Sequence, residues 1–594
     1  MPQTPDPSHA GMPCWKSLAA ASALTAAIYA VLAFLSAYHT LDTPKQYRPI
    51  LLVVALYLLA FGPYWWAWKA AARAGWRRSL VVWVIGTSVL WRAILLPTPP
   101  FQEIDLYRYA WDGAVVVAGV DPYRFPPKEI VDEINAQRAG LIDRVEGDRG
   151  RLVSLATSES PEYEKILRTI HFSELPSPYP PVSQAVFAWV AATSPLASVS
   201  GQLFWLKLGL VVFDVATLLV LLWLLRLTGL GPGHAVAYGW CPLVVKEIAN
   251  SGHLDSIAVF FATAAVALAV RGLRAKPTGD LRWVGGSGAV LGLGVGAKLF
   301  PIVIAPVLAI VWWRRSGWRA AVVGGAAILV TAAATLAPML LRGDSPPETP
   351  AATGETVMLP PPPDADLQSE TTRDKTAGLA AFLSRWEIND LLFAAVAENL
   401  RPQDHRPPER TPWFAVTPDS VSGAIVGGWR DALSAVVPAA ATLDDRAAAF
   451  LLARAITLVA CGAIVLACGW RASRPGADAQ ALPRAAFFAL AWFWLLAPTQ
   501  NPWYWCWAAP LLPFARQRAW AVLAACAMLY YVRFWLTYHC PSPGVFGTRY
   551  DGDYFFYFVV PWIEFGPWLL LLAGETAWRS RTIKPRASAS AADV

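Results

Sequence analysis

The chain alternates between long apolar runs and short charged stretches. Runs of about 20 mostly apolar residues, the length a helix needs to cross a bilayer, begin at Leu18, Ile50, Ser79, Leu203, Leu254, Arg319, Ala447, Ala519 and Phe555. Shorter or broken apolar stretches cover 235–250, 284–297, 300–313, 484–499 and 503–514. Together they predict an all-α polytopic membrane protein with about 14 transmembrane helices. The segment 182–193 is apolar but short, and it reads as re-entrant. The first run is too long for the apolar region of a signal peptide and lacks a small-residue cleavage pattern, so it reads as the first span.

Composition agrees with the pattern. Of 594 residues, 56% are hydrophobic and 15% charged, against about 25% charged in soluble domains. The 30 Trp are expected at the membrane interfaces. The net charge of +7 sits mainly in short loops (69–78, 271–282, 314–319, 471–484, 516–518) and in the tail, at Arg579, Arg581, Lys584 and Arg586. Short loops rich in Lys and Arg face the cytoplasm, so both termini are expected inside a plasma membrane, and no nucleic-acid partner is implied. The seven Cys form neither a disulfide framework nor a metal-binding spacing.

This orientation divides the chain. Residues 1–97 hold the N-terminal spans, 98–181 the first extracytoplasmic loop, 182–341 the central spans and 342–446 a second, Pro-rich extracytoplasmic loop. Residues 447–573 hold the C-terminal spans and 574–594 a basic cytoplasmic tail. Each outer loop is expected to carry an interfacial helix, the second in GLAAFLSRWEINDLLFAAVAENL. No internal repeat of the kind seen in inverted-repeat transporters is evident.

Ionisable groups within or beside apolar helices are where chemistry is expected. In FQEIDLYRYAWDG, Asp105, Tyr109 and Asp112 are spaced i, i+4, i+7 and share a helix face. A carboxylate just outside a span suits a general base, while Arg108 and Asp112 also have the spacing of a structural ion pair. In WCPLVVKEIANSGHLDS, Lys246, Glu247, His253 and Asp255 read either as Lys246–Glu247 and His253–Asp255 pairs or as substrate contacts. Lys298, between two short helices, wants an anion such as a lipid phosphate. Arg533, inside a span, has no evident partner and is a second candidate for that phosphate. Tyr179 ends the first loop. Trp503 and Tyr504 are expected at the outer interface, and Asp551 and Asp553 read as a turn.

In order and spacing, IDLYRYAWDG, GVDPYRFPP, HFSELPSPYPPVSQAVF, SGHLDSIAVFF, GAKLFPIVIAP and NPWYWCWAAPLLP resemble blocks of the C-type membrane glycosyltransferases. The resemblance is to polyprenol-phosphate-mannose-dependent mannosyltransferases and their bacterial relatives. It spans residues 100–515. It implies a catalytic base at the acidic position of the first outer loop, which is Asp105 here, and a phosphate contact at Lys298. Arg108 and Arg533 are added on chemical grounds, and Tyr109, Asp112, Tyr179, Glu247, His253, Asp255, Trp503 and Tyr504 complete the expected substrate-binding set. The implied partners are a polyprenyl-phosphate-linked sugar, mannose by default, a glycan, lipid or protein acceptor on the outer face, and membrane lipid. No metal or cofactor is implied, with a divalent cation left open. The rival classes are a transporter or lipid flippase and a non-catalytic envelope scaffold.

Overall fold

The computed structural model describes residues 13–159, 161–195, 198–275, 280–341, 386–403 and 406–583. It is a polytopic all-α membrane protein. Among the described residues nine helices are long and apolar enough to cross a bilayer: Trp15–His39, Ile50–Ala71, Arg78–Leu95, Val199–Thr228, Asp255–Arg274, Trp318–Leu340, Asp445–Ala472, Ala519–His539 and Gly552–Trp578. Each coincides with one of the nine long apolar runs. The remaining expected crossings are short or irregular. Pro181–Thr193 has 13 residues and rises about 20 Å, less than the roughly 30 Å of a hydrocarbon core.

The irregular stretches follow their Pro and Gly residues. From Pro232 to Asn250 the backbone runs through four short turns, Pro232–Ala235, Val236–Gly239, Pro242–Val245 and Lys246–Asn250. Pro301 and Pro502 each open a 3-10 turn, Phe300–Ile304 and Pro502–Trp507, where the ring removes a helical donor. Small residues bring the regular helices close. A side chain at Gly288 would meet the Gly324 carbonyl at 2.4 Å, so Leu281–Ala297 packs on Trp318–Leu340 backbone to backbone, a common membrane arrangement.

One ion pair ties the spans together deep in the bundle. Arg92 and Asp214 are both buried; the Arg92 Nη2 donates to Asp214 Oδ1 at 3.1 Å, and Tyr238 donates to the same oxygen at 2.5 Å. Burying such charges demands full satisfaction, which the Gly239 carbonyl supplies by accepting from Arg92 Nη1 at 2.7 Å.

The two segments expected outside the membrane are packed against the bundle. In the first, the helix Asp105–Val117 has every residue from Leu106 to Val115 buried. It packs on Pro181–Thr193 and Val199–Thr228, with Pro161–Thr169 of the same loop also in contact. Of the helix expected over 378–400, the described residues are helical at Leu392–Leu400. Residues 386–391 are not helical because their backbone is recruited elsewhere: Ile388 N donates to Pro498 O at 3.0 Å and Gln500 N donates to Ile388 O at 2.9 Å. The part of that predicted helix before Trp386 lies outside the described residues. Beyond it, Asp419–Ser434 and the start of Asp445–Ala472 build a small core with Phe393, Ala397, Val426 and Phe450.

Candidate active site

The chain between the third span and the first-loop helix is fixed from the bundle side. Asn250 donates to Thr98 Oγ1 at 2.8 Å and to Pro99 O at 2.9 Å, and accepts from Phe101 N at 2.9 Å. Lys207 Nζ donates to Thr98 O at 2.7 Å. These bonds set where the helix begins, and it begins at Asp105.

Asp105 is half-buried and, among the described residues, accepts no hydrogen bond and forms no ion pair. Its charge acts on Glu103, Tyr109, His171, Tyr179 and Tyr504, which come from three separate parts of the chain. Glu103 is a residue that sequence reasoning missed. Burial raises its carboxyl to about 7 against the pull of Lys246, and its Oε1 is buried with no hydrogen-bond partner among the described residues. Its signal was simply its place, two residues before Asp105 in a loop that folds inward. His171 was missed too. Crowding by protein lowers its imidazole although solvent reaches its edge; Asp105 opposes that shift, and Lys45 and Arg533 add to it.

The other expected residues of the first loop are engaged structurally. Arg108 Nε donates to Asp112 Oδ1 at 2.9 Å, and Arg108 Nη2 donates to Leu175 O at 3.0 Å. Ser177 Oγ and Gln184 Nε2 donate to Asp112 Oδ2 at 2.5 and 3.2 Å. This network ties the end of the loop to the helix. Tyr109 stacks on Phe187 at 4.8 Å and meets Tyr179 edge-on at 4.9 Å. The packing leaves no room for a side chain at Gly113, where a Cβ would lie 2.5 Å from Phe187 O.

The broken segments supply two buried polar clusters. Glu247 lies 3.1 Å from Lys246 Nζ and 3.2 Å from His253 Nε2, and Tyr531 donates to it at 2.7 Å. The Lys246 ammonium sits 3.6 Å over the Tyr531 ring, and His253 stacks on Trp503 at 4.1 Å. Asp255 is therefore not paired with His253. It accepts from Lys298 Nζ at 2.7 Å and from Trp507 Nε1 at 2.5 Å. Lys298 has its anion within the chain, at the turn after Ala297, and lies 4.5 Å over the Tyr504 ring. Trp503 and Tyr504 are buried, because the turn at Pro502 folds the aromatic run into the bundle against His253 and Lys298.

Arg533 stands apart. Among the described residues no carboxylate lies within ion-pair distance of it; Tyr530 hydrogen-bonds it, and the rings of Phe556 and Tyr557 lie at 5.5 and 5.9 Å. It acts on His171, as Asp105 does. The second outer segment reaches the same region: Asp390 and Glu387 act with Arg533 on Tyr557. Trp386 packs on Phe172 of the first loop at 4.7 Å. Asn389 Nδ2 donates to Glu564 Oε1 at 3.1 Å and to Gln500 O at 3.3 Å. Among the described residues the arrangement thus offers a carboxylate with no hydrogen-bond partner and a guanidinium with no carboxylate partner, near two segments held together by Trp386 and Phe172. Asp551 caps the Gly552–Phe558 helix by accepting from Tyr554 N at 2.9 Å, and Asp553 accepts from Thr537. Among the described residues no group of three acids, histidines or cysteines is placed to hold a metal.

Two family models match the chain. Residues 9–141 match the N-terminal domain of Alpha-(1->6)-mannopyranosyltransferase, and residues 178–357 match Glycosyltransferase family 87. No curated protein and no solved structure matches it. The first match holds the Asp105 helix and the second holds Tyr179, Glu247, His253, Asp255 and Lys298. With the apolar helices, these matches make the chain a multi-pass membrane glycosyltransferase, similar to the C-type superfamily of polyprenol-phosphate-mannose enzymes.

Proposed function

We propose that this membrane glycosyltransferase moves a hexose, mannose by default, from a polyprenyl-phosphate donor to an acceptor hydroxyl at the extracytoplasmic face of the plasma membrane. The observation that carries the mechanism is the contrast between Asp105, which has no partner among the described residues, and the bonded carboxylates of Asp112, Glu247 and Asp255. A general base has to be free to accept a proton from the substrate.

In this reading Asp105 takes the proton of the acceptor hydroxyl. The acceptor oxygen attacks the anomeric carbon from the face opposite the phosphate, the glycosidic C–O bond breaks and the configuration inverts. The phosphate departs with the bonding electrons, and its developing charge is met by Arg533, which has no carboxylate to satisfy first. A fixed, partly buried guanidinium stabilises such charge without reorganising. Lys298, held by Asp255, and Lys246, held by Glu247, shape the electrostatics of the site. Arg108 and Asp112 hold the loop, while Tyr109, Tyr179, His253, Trp503 and Tyr504 form the apolar and aromatic wall against which donor and acceptor lie.

The test is transfer of radiolabel from a panel of polyprenyl-phosphate hexoses to membrane extract, wild type against Asp105→Asn. The expected outcome is transfer from one donor by the wild type and a loss of about 10²–10⁴-fold in the variant. Equal transfer by the two proteins refutes Asp105 as base.

A further inference from the structure

The helix ending at Ser316 and the helix Asp445–Ala472 enclose a feature that the transfer reaction does not use. Gly469 lets them approach closely, since a Cβ there would meet Ile310 Cδ1 at 3.0 Å and Val307 Cα at 3.2 Å. Next to this contact the helices part around a cavity of about 450 Å³, lined by Ile310, Trp313, Leu466, Trp470, Arg471 and Arg474. It lies toward the Ala472 end of its helix, whereas the other end, at Asp445, joins the second outer segment.

The charge around this cavity is not balanced within the chain. In the neighbouring basic loops Arg484 and Arg516 share Asp478, and Arg282 pairs with Asp280. Arg314, Arg315, Arg319, Arg471 and Arg474 have no carboxylate within ion-pair distance among the described residues. Arg314 instead lies 3.7 Å over the Trp470 ring. The aromatic rings at this rim face outward: Trp313 is 57% exposed, Trp470 48% and Trp318 64%. An apolar groove topped by unpaired guanidinium groups and interfacial Trp has the character of a headgroup-and-chain site. Basic pockets between transmembrane helices on the cytoplasmic side bind anionic lipid headgroups, and Trp settles at headgroup depth.

We infer that this cavity holds one anionic glycerophospholipid, its phosphate against Arg471 and Arg474 and an acyl chain along Ile310, Leu466 and Ala467. The forked guanidinium suits a phosphate group, and the apolar lining residues Trp313 and Leu466, one on each helix, are exposed. The site is remote from Asp105 and does not depend on the transferase reading.

Native mass spectrometry of the purified full chain, titrated with phosphatidylglycerol or with phosphatidylcholine of the same acyl chains, tests it. One phosphatidylglycerol is expected to be retained with an affinity about tenfold or more above that for phosphatidylcholine. Arg471→Gln with Arg474→Gln is expected to abolish that preference. Ala467→Trp, which keeps both charges but fills the groove, is expected to lose the retained lipid as well, so a folding defect of the charge variant does not decide the matter. Equal retention of the two lipids, or unchanged preference in both variants, overturns the assignment.

Discussion

At the scale of single residues, the site is organised by which ions are already spent. Lys246, Lys298 and Arg108 each have a carboxylate at 2.7–3.1 Å, while Arg533 has none among the described residues. Arg533→Gln is therefore expected to lower turnover about 10- to 100-fold, the loss of a hydrogen bond to a charged group. Lys298→Gln is expected to act mainly by leaving Asp255 buried and unpaired. Steady-state kinetics together with thermal unfolding of both variants separates the two effects. Glu103 carries a pH signature. Its folded carboxyl titrates near 7, above the ordinary value near 4.3, so the native state binds the extra proton. Stability is highest below the unfolded value and falls as pH rises from about 4.3 to 7. Glu103→Gln is expected to remove that fall, gaining about 3–4 kcal/mol over wild type at pH 8 and little at pH 4; unfolding followed at the two pH values checks it. Asp105 was legible as a candidate in the sequence, by its helix-face spacing with Tyr109 and Asp112 and by the first-loop block it sits in. The true partners of His253 and Asp255 were not, because Glu247, Lys298 and Trp507 reach them by chain reversals that spacing along one helix does not encode.

At the scale of elements, the long spans were readable from hydropathy alone, and all nine apolar runs returned as helices. The short pieces were readable as breaks, since Pro and Gly mark them, but their direction was not. The aromatic run after Pro502 looked like a membrane belt and is instead core, because Trp503 and Tyr504 meet His253 and Lys298. The segment 386–391 has helical composition and is not helical, because the 498–500 backbone captures Ile388, and Asn389 at φ 55° bonds to Glu564. Tertiary hydrogen bonds override propensity there. The contact between Asp105–Val117 and Pro181–Thr193 is the element-scale feature most exposed to mutation. Gly113→Val places a branched side chain against the Phe187 backbone, and it is expected to cost about 1–3 kcal/mol by overpacking. A lower unfolding temperature together with loss of transfer checks it, whereas Gly86→Ala, in open space, is expected to change neither.

For the molecule as a whole, the polar centre has a consequence for how the protein is made. The segment 232–255 carries Lys246, Glu247, Asn250, His253 and Asp255 in irregular backbone, and all of them are buried. Charged residues at the middle of a nascent span each cost about 2.5–3.5 kcal/mol on insertion. This stretch therefore enters the bilayer only in company, beside Arg78–Leu95 and Val199–Thr228, which precede it on the ribosome. Its last partner arrives late: Tyr531, which donates to Glu247, lies 284 positions further along the chain. Nascent chains halted before residue 519 are expected to remain clients of insertases or membrane proteases. Chains that extend past Tyr531 are expected to become resistant, and pulse-chase of arrested intermediates with limited proteolysis reads out that change. The ionic cluster buried beside the candidate site is thus expected to act during synthesis as a checkpoint, passed only once the chain extends beyond Tyr531.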